Sequence, residues 1–134
     1  MKKRIISLLL VSILMMLLPL NSFASGSAAP PNVQPRYIAI AELSAGLSGE
    51  SGYVTVSGRV LVTDPTLNCQ LTVELQKKEN GTWSTIDAWF NSGVISVSIN
   101  ENYYLLSGDY RTKVTARIYN SSNTLIETAT TYHD

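Results

Sequence analysis

Cys69-Gln-Leu-Thr-Val-Glu-Leu-Gln-Lys-Lys78, continued by Glu79-Asn80-Gly81-Thr82 and Trp83-Ser-Thr-Ile-Asp-Ala-Trp-Phe90, is the stretch that decides the fold class. Cys69, Leu71, Val73 and Leu75 alternate with Gln70, Thr72, Glu74 and Gln76. A period of two puts one set in a core and the other in water, as in a half-buried strand. Asn80 and Gly81 both tolerate positive φ, so the dipeptide reads as a tight hairpin turn. Trp83 to Phe90 is then the return strand.

The same grammar extends in both directions. Tyr37 to Ser48 is a first run, closed by the turn Gly49 to Gly52. Tyr53 to Thr63 follows, with Val54, Val56, Val60 and Val62 on one face; Gly58 shares that face and marks a bulge or a close crossing. Asp64-Pro65 ends the run, because Pro donates no ladder bond and Asp starts turns. After Phe90, Asn91-Ser92-Gly93 turns into Val94 to Asn100, with Ile95, Val97 and Ile99 inward. Glu101 to Gly108 is a longer connection. Asp109 to Tyr119 sets Tyr110, Thr112, Val114, Ala116 and Ile118 against Arg111, Lys113, Thr115 and Arg117. Asn120 to Asn123 turns the chain into a last strand, Thr124 to Tyr132. Seven short strands and no sustained 3.6-residue period predict an all-β, seven-stranded antiparallel sandwich of immunoglobulin-like size. A barrel is the alternative.

The remainder of the 134 residues is of two kinds. Residues 1–24 carry Lys2, Lys3 and Arg4 with no acid, then an apolar run from Ile5 to Leu20 and small residues before a cleavage point after Ala24. The apolar run is about 16 residues, short of the roughly 20 of a spanning helix, and the segment reads as a cleaved signal peptide. No membrane span is expected after cleavage, and the protein is expected to be secreted. Residues 25–36, with three prolines, read as a flexible linker. Residues 37–134 are the domain. Beyond residue 24, seven basic groups face ten acidic ones, a balance of about −3 that argues against nucleic acid as a partner.

No constellation for catalysis emerges. There is no G-x-S-x-G, and the single His, His133, lies next to the C-terminal residue. One Cys and one His fall short of a zinc site, and no dense acidic loop offers calcium a home. The carboxylates are scattered, with no spacing that predicts a convergent pair. No cofactor is expected. Cys69 shares parity with Leu71, Val73 and Leu75 and reads as a buried, inert thiol. Asn80-Gly81-Thr82 and Asn120-Ser121-Ser122 are formal glycosylation sequons, most simply read as turn residues. Arg111, Lys113 and Arg117 form an outward stripe that Glu74, Glu79 or Glu127 would neutralise across strands. The candidate ligand surface is Trp83 and Trp89. In an unbulged strand both would lie on one face with Thr85 and Asp87, near Tyr119 or Tyr132, and could stack on sugar rings. One Trp sealing the core is the competing account, and a bulge would send Trp89 to the opposite side.

Leu105-Leu106-Ser107-Gly108-Asp109-Tyr110 and the alternation after it resemble the entry to strand F of immunoglobulin-like sandwiches of the fibronectin type III and PKD kinds. That resemblance implies a tyrosine corner at Tyr110, its hydroxyl bonded to nearby backbone. The antibody pattern is absent: Thr112 stands where a Cys would be. Leu75 to Lys78, Thr82-Trp83-Ser84-Thr85 and Ser107 to Tyr110 resemble an uncharacterised family of small secreted single-domain Firmicutes proteins, from which no functional residue transfers. The expected function is a non-catalytic extracellular interaction module for a protein or envelope polymer. Alternatives are a carbohydrate-binding module using the tryptophans and a small secreted enzyme inhibitor presenting Glu101 to Ser107.

Overall fold

Apolar–polar alternation becomes seven strands in the computed structural model, which describes residues 37–50 and 52–134. They are β1 (Ile40–Glu50), β2 (Tyr53–Val62), β3 (Asn68–Glu79), β4 (Thr82–Val94), β5 (Ser96–Tyr104), β6 (Tyr110–Tyr119) and β7 (Leu125–His133). The expected signal peptide (1–24) and linker (25–36) lie outside the described residues. All pairings are antiparallel, and two sheets form, ordered β1-β2-β5 and β4-β3-β6-β7. The fold is a β-sandwich, not a barrel. In constant-type immunoglobulin domains the fourth strand extends the sheet of the first, second and fifth. Here it pairs with β3, because Asn80 (φ 52) and Gly81 (φ 81) both take positive φ and fold the chain straight back.

The inward residues of both sheets close one core. Val56 and Val60 of β2 and Val97 and Ile99 of β5 meet Leu71, Val73 and Leu75 of β3 and Val114, Ala116 and Ile118 of β6. Each fully buried Val, Leu or Ile side chain contributes about 1.5–3 kcal/mol of transfer free energy, and Ala116 less. Thr112 is the one polar group deep in this layer, and its hydroxyl donates to the Gly46 carbonyl of the opposite sheet at 3.1 Å. Gly58 pairs without a bulge between Ala45 and Ile99. A Cβ there would press on Val73 and come within 2.8 Å of a Val114 methyl, so Gly58 marks the close crossing of the sheets.

The two open sides of the sandwich are tied differently. On one, the Glu127 carboxylate of β7 accepts the backbone N–H groups of Ile38 (3.1 Å) and Ala39 (2.8 Å) as the chain enters β1. On the other, the Asn91 amide of β4 donates to the Ser98 carbonyl of β5 at 3.1 Å. Both contacts satisfy edge backbone groups that a sheet otherwise leaves open.

Several expectations need correction. β4 runs through Asn91, Ser92 and Gly93, and the turn sits at Ile95, which has φ 66 and is 49% exposed, not inward. A β-branched residue in the left-handed region carries about 1–2 kcal/mol of strain. The Val62 N–H donating to the Ile95 carbonyl at 2.8 Å holds it there. The expected inhibitory loop also shrinks: Glu101 to Tyr104 belong to β5, and Leu105 is drawn in by its N–H bond to the Gly52 carbonyl at 2.7 Å. At the corner, the Tyr110 ring packs half-buried on the core, but its hydroxyl has no hydrogen-bond partner among the described residues. Tyr110→Phe is therefore expected to change unfolding free energy by less than about 0.5 kcal/mol, read from urea denaturation. A larger loss would restore the hydroxyl to a structural role.

Candidate functional site

The two tryptophans do not share a face. Leu75 pairs with Asp87 and Gln76 with Thr85, so Ile86 is an extra residue bulged out of the ladder. Beyond the bulge the parity of β4 is inverted. Trp89 lies opposite Val73, faces inward, and packs on the core edge-to-face with Tyr103 at 6.3 Å. Trp83 lies opposite Lys78 on the outward side. It is not a free platform: the Arg111 guanidinium lies 4.3 Å from its ring centroid and the Lys78 ammonium 5.6 Å. Arg111 also lies over Tyr132, at 4.5 Å. The ligand surface expected from Trp83 and Trp89 thus has no single face to occupy.

The outward side of the four-stranded sheet is a connected network. Arg111 Nε donates to Gln76 Oε1 at 2.8 Å, Gln76 Nε2 to Thr85 Oγ1 at 3.1 Å, and Thr85 Oγ1 to Glu74 Oε1 at 2.9 Å. Lys113 completes it with an ion pair to Glu74 at 2.6 Å. The basic stripe is therefore neutralised in part as expected, by Glu74. Glu79 instead pairs with Lys77 along the strand at 3.3 Å, and Glu127 is committed to the entry of β1. Partial burial raises the Glu74 carboxyl, but the bonds from Lys113 and Thr85 and the Lys113 charge outweigh it and hold Glu74 below its ordinary value. A depressed folded value means this stability is present above the unfolded carboxylate pKa of about 4.3 and is lost as pH falls through the folded value. Lys113→Met should remove about 0.2–1 kcal/mol at neutral pH and flatten that part of the acid limb. An unchanged pH profile of urea midpoints would count against the pair.

Cys69 is fully buried and unpaired, with its Sγ 3.3 Å from the Gly93 carbonyl. Burial raises its pKa, which disfavours the reactive thiolate. A thiol reagent is expected to label it only after denaturation; fast labelling of the folded protein would contradict this placement. No group of three or more His, Cys, Asp or Glu that could hold a metal ion occurs among the described residues. No helix among them is long and apolar enough to cross a membrane. Asn80 and Asn120 both sit in turns, and the Asn120 side chain accepts the N–H groups of Ser122 (3.0 Å) and Thr124 (2.9 Å).

The outward side of the three-stranded sheet carries residues that alternation alone does not single out. Across β1, β2 and β5 the paired rows are Ser44–Arg59–Ser98, Gly46–Ser57–Asn100 and Ser48–Thr55–Asn102, followed at one end by Tyr53–Tyr104. A groove of about 460 Å³ lies here, lined by Ser44, Ser57, Gly58, Arg59, Ser96, Ser98 and Asn100. Arg59 is exposed, with no ion-pair partner among the described residues. Thr55 Oγ1 donates to Asn102 at 3.0 Å. Tyr53 and Tyr104 pack edge-to-face at 5.2 Å and remain 72% and 58% exposed. The signal was the opposite parity of each strand: Tyr53, Thr55, Ser57 and Arg59 alternate with the valines. Only the pairing of β2 with β5 makes it a surface. Compared with known proteins, the chain matches no family model and no curated protein.

Proposed function

We propose that this chain is an exported, non-catalytic contact module that holds an extracellular partner against one sheet face. The observation that carries the reading is the outward side of β1-β2-β5. Among the described residues no other strand packs over it, and it combines a groove, an unpaired Arg59 and two exposed tyrosines. On the opposite outward face Trp83, Arg111, Tyr132, Gln76, Thr85, Glu74 and Lys113 engage one another, while Phe90 and Arg117 stay exposed beyond that network. The basic start, apolar run and small-residue site of residues 1–24 support export. A fold of this kind hosts many functions, so the reading rests on the face and not on the architecture.

The test is to express the full chain in a secreting bacterial host and fractionate the culture. The expected result is a processed protein that begins at Ser25, lies outside the cytoplasm and is partly retained by washed envelopes. An unprocessed cytoplasmic protein, or one that neither an envelope fraction nor any extracellular polymer retains, would overturn it.

A further inference from the structure

We infer that the outward face of β1-β2-β5 is a binding track for a neutral polysaccharide strand, with Tyr53 and Tyr104 as its stacking end and Arg59 as its hydrogen-bonding end. This rests on the contact-module reading and names its ligand class. Tyr53 and Arg59 are six residues apart on one strand and on one face, about 20 Å at the rise of an extended chain. The rows between them present Thr55 and Asn102, then Ser57 and Asn100, so polar groups follow one another without interruption.

The chemistry selects the ligand. The Ser hydroxyls both donate and accept, Thr55 Oγ1 still accepts while it donates to Asn102, and the Asn amide N–H groups donate, which matches a chain of sugar rings whose hydroxyls do both. Arg59 adds a planar fork of donors suited to two neighbouring oxygens. Tyr53 and Tyr104 give exposed rings with a polar tip, which can take the apolar C–H face of a pyranose while bonding at its edge. A protein partner fits less well, since interface cores favour aromatic and apolar groups and are depleted in Ser. An added peptide strand would need a free sheet edge, whereas the track runs along β2, whose two sides are already paired by β1 and β5. A polyanion is disfavoured by a chain with seven basic against ten acidic groups beyond residue 24 and one cation in the groove lining.

The experiment is native affinity electrophoresis of the full chain, as secreted, in gels containing hydroxyethylcellulose, xylan, glucomannan or alginate. Retardation by at least one of the three neutral polymers is expected. Tyr53→Ala and Arg59→Ala should each weaken it about tenfold, the effect of truncating one well-placed side chain in a binding surface. Trp83→Ala, on the other sheet, should leave it unchanged. Circular dichroism of each variant separates weakened binding from failed folding, and Tyr53→Phe should keep most of the retardation. Binding to alginate alone, or to no polymer while envelope retention persists, overturns the track and leaves the contact module standing. Retardation insensitive to Tyr53 and Arg59 also overturns it, as does concentration-dependent dimerisation that Tyr53→Ala abolishes. Absence of envelope retention together with absence of all polymer binding overturns the contact module itself.

Discussion

Gly58→Ala is expected to destabilise the domain by about 1–3 kcal/mol, and Gly58→Val by more. Strand propensity alone points the other way, since a glycine in a strand interior is a weak choice and valine a strong one. The geometry decides between them. Gly58 is buried at the centre of β2, and a Cβ at this position would press on Val73 and lie 2.8 Å from a Val114 methyl of the facing sheet. Both neighbours are fully buried and have no solvent side toward which to move. The backbone itself does not require glycine, because Gly58 is not among the residues with positive φ. The penalty is therefore steric, and shrinking the neighbour should relieve part of it. Gly58→Ala with Val114→Ala should be more stable than the sum of the single changes by about 0.5–3 kcal/mol. Urea unfolding of the four proteins in that cycle measures the coupling. Additive losses would mean that the two positions do not touch.

Leu71→Ala should cost about 2–5 kcal/mol. Leu71 is fully buried in β3, with Asn91 on one side and Ala116 on the other. Its strand is paired on both sides, so little backbone movement is open to collapse the cavity. Small domains hold only about 5–15 kcal/mol in total, so the variant should unfold at a much lower urea concentration, with little change in the slope of the transition. Leu71→Met, which conserves volume, should lose less than about 1.5 kcal/mol. A Leu71→Ala protein with the parent's midpoint would place Leu71 outside the core.

Much of this architecture was legible from side-chain alternation. Val56 and Val60, Leu71, Val73 and Leu75, Val97 and Ile99, and Val114, Ala116 and Ile118 all lie inward as their parity indicates. The hairpin at Asn80-Gly81 forms as its dihedral tolerance predicts. The burial of Cys69 follows from the same alternation. These features are local: the period of a strand and the conformational range of a turn residue are properties of a few consecutive positions.

The surfaces were not legible in the same way. The bulge at Ile86 inverts one half of β4, so Trp83 and Trp89 part company despite equal parity. A single inserted residue leaves no mark in a hydrophobic pattern as mixed as Ser84 to Ala88. The turn at Ile95 is silent in the sequence because nothing in a β-branched residue announces a positive φ; the ladder bond from Val62, 33 positions earlier, imposes it. The row Arg59–Ser98 and the pair Tyr53–Tyr104 join residues 39 and 51 positions apart. Alternation, turn chemistry and the inward set were thus determined by the sequence alone, because each depends on neighbours along the chain. Which outward residues stand side by side was decided only by the pairing of β2 with β5 and of β3 with β4 and β6, because those ladders join positions far apart in the chain.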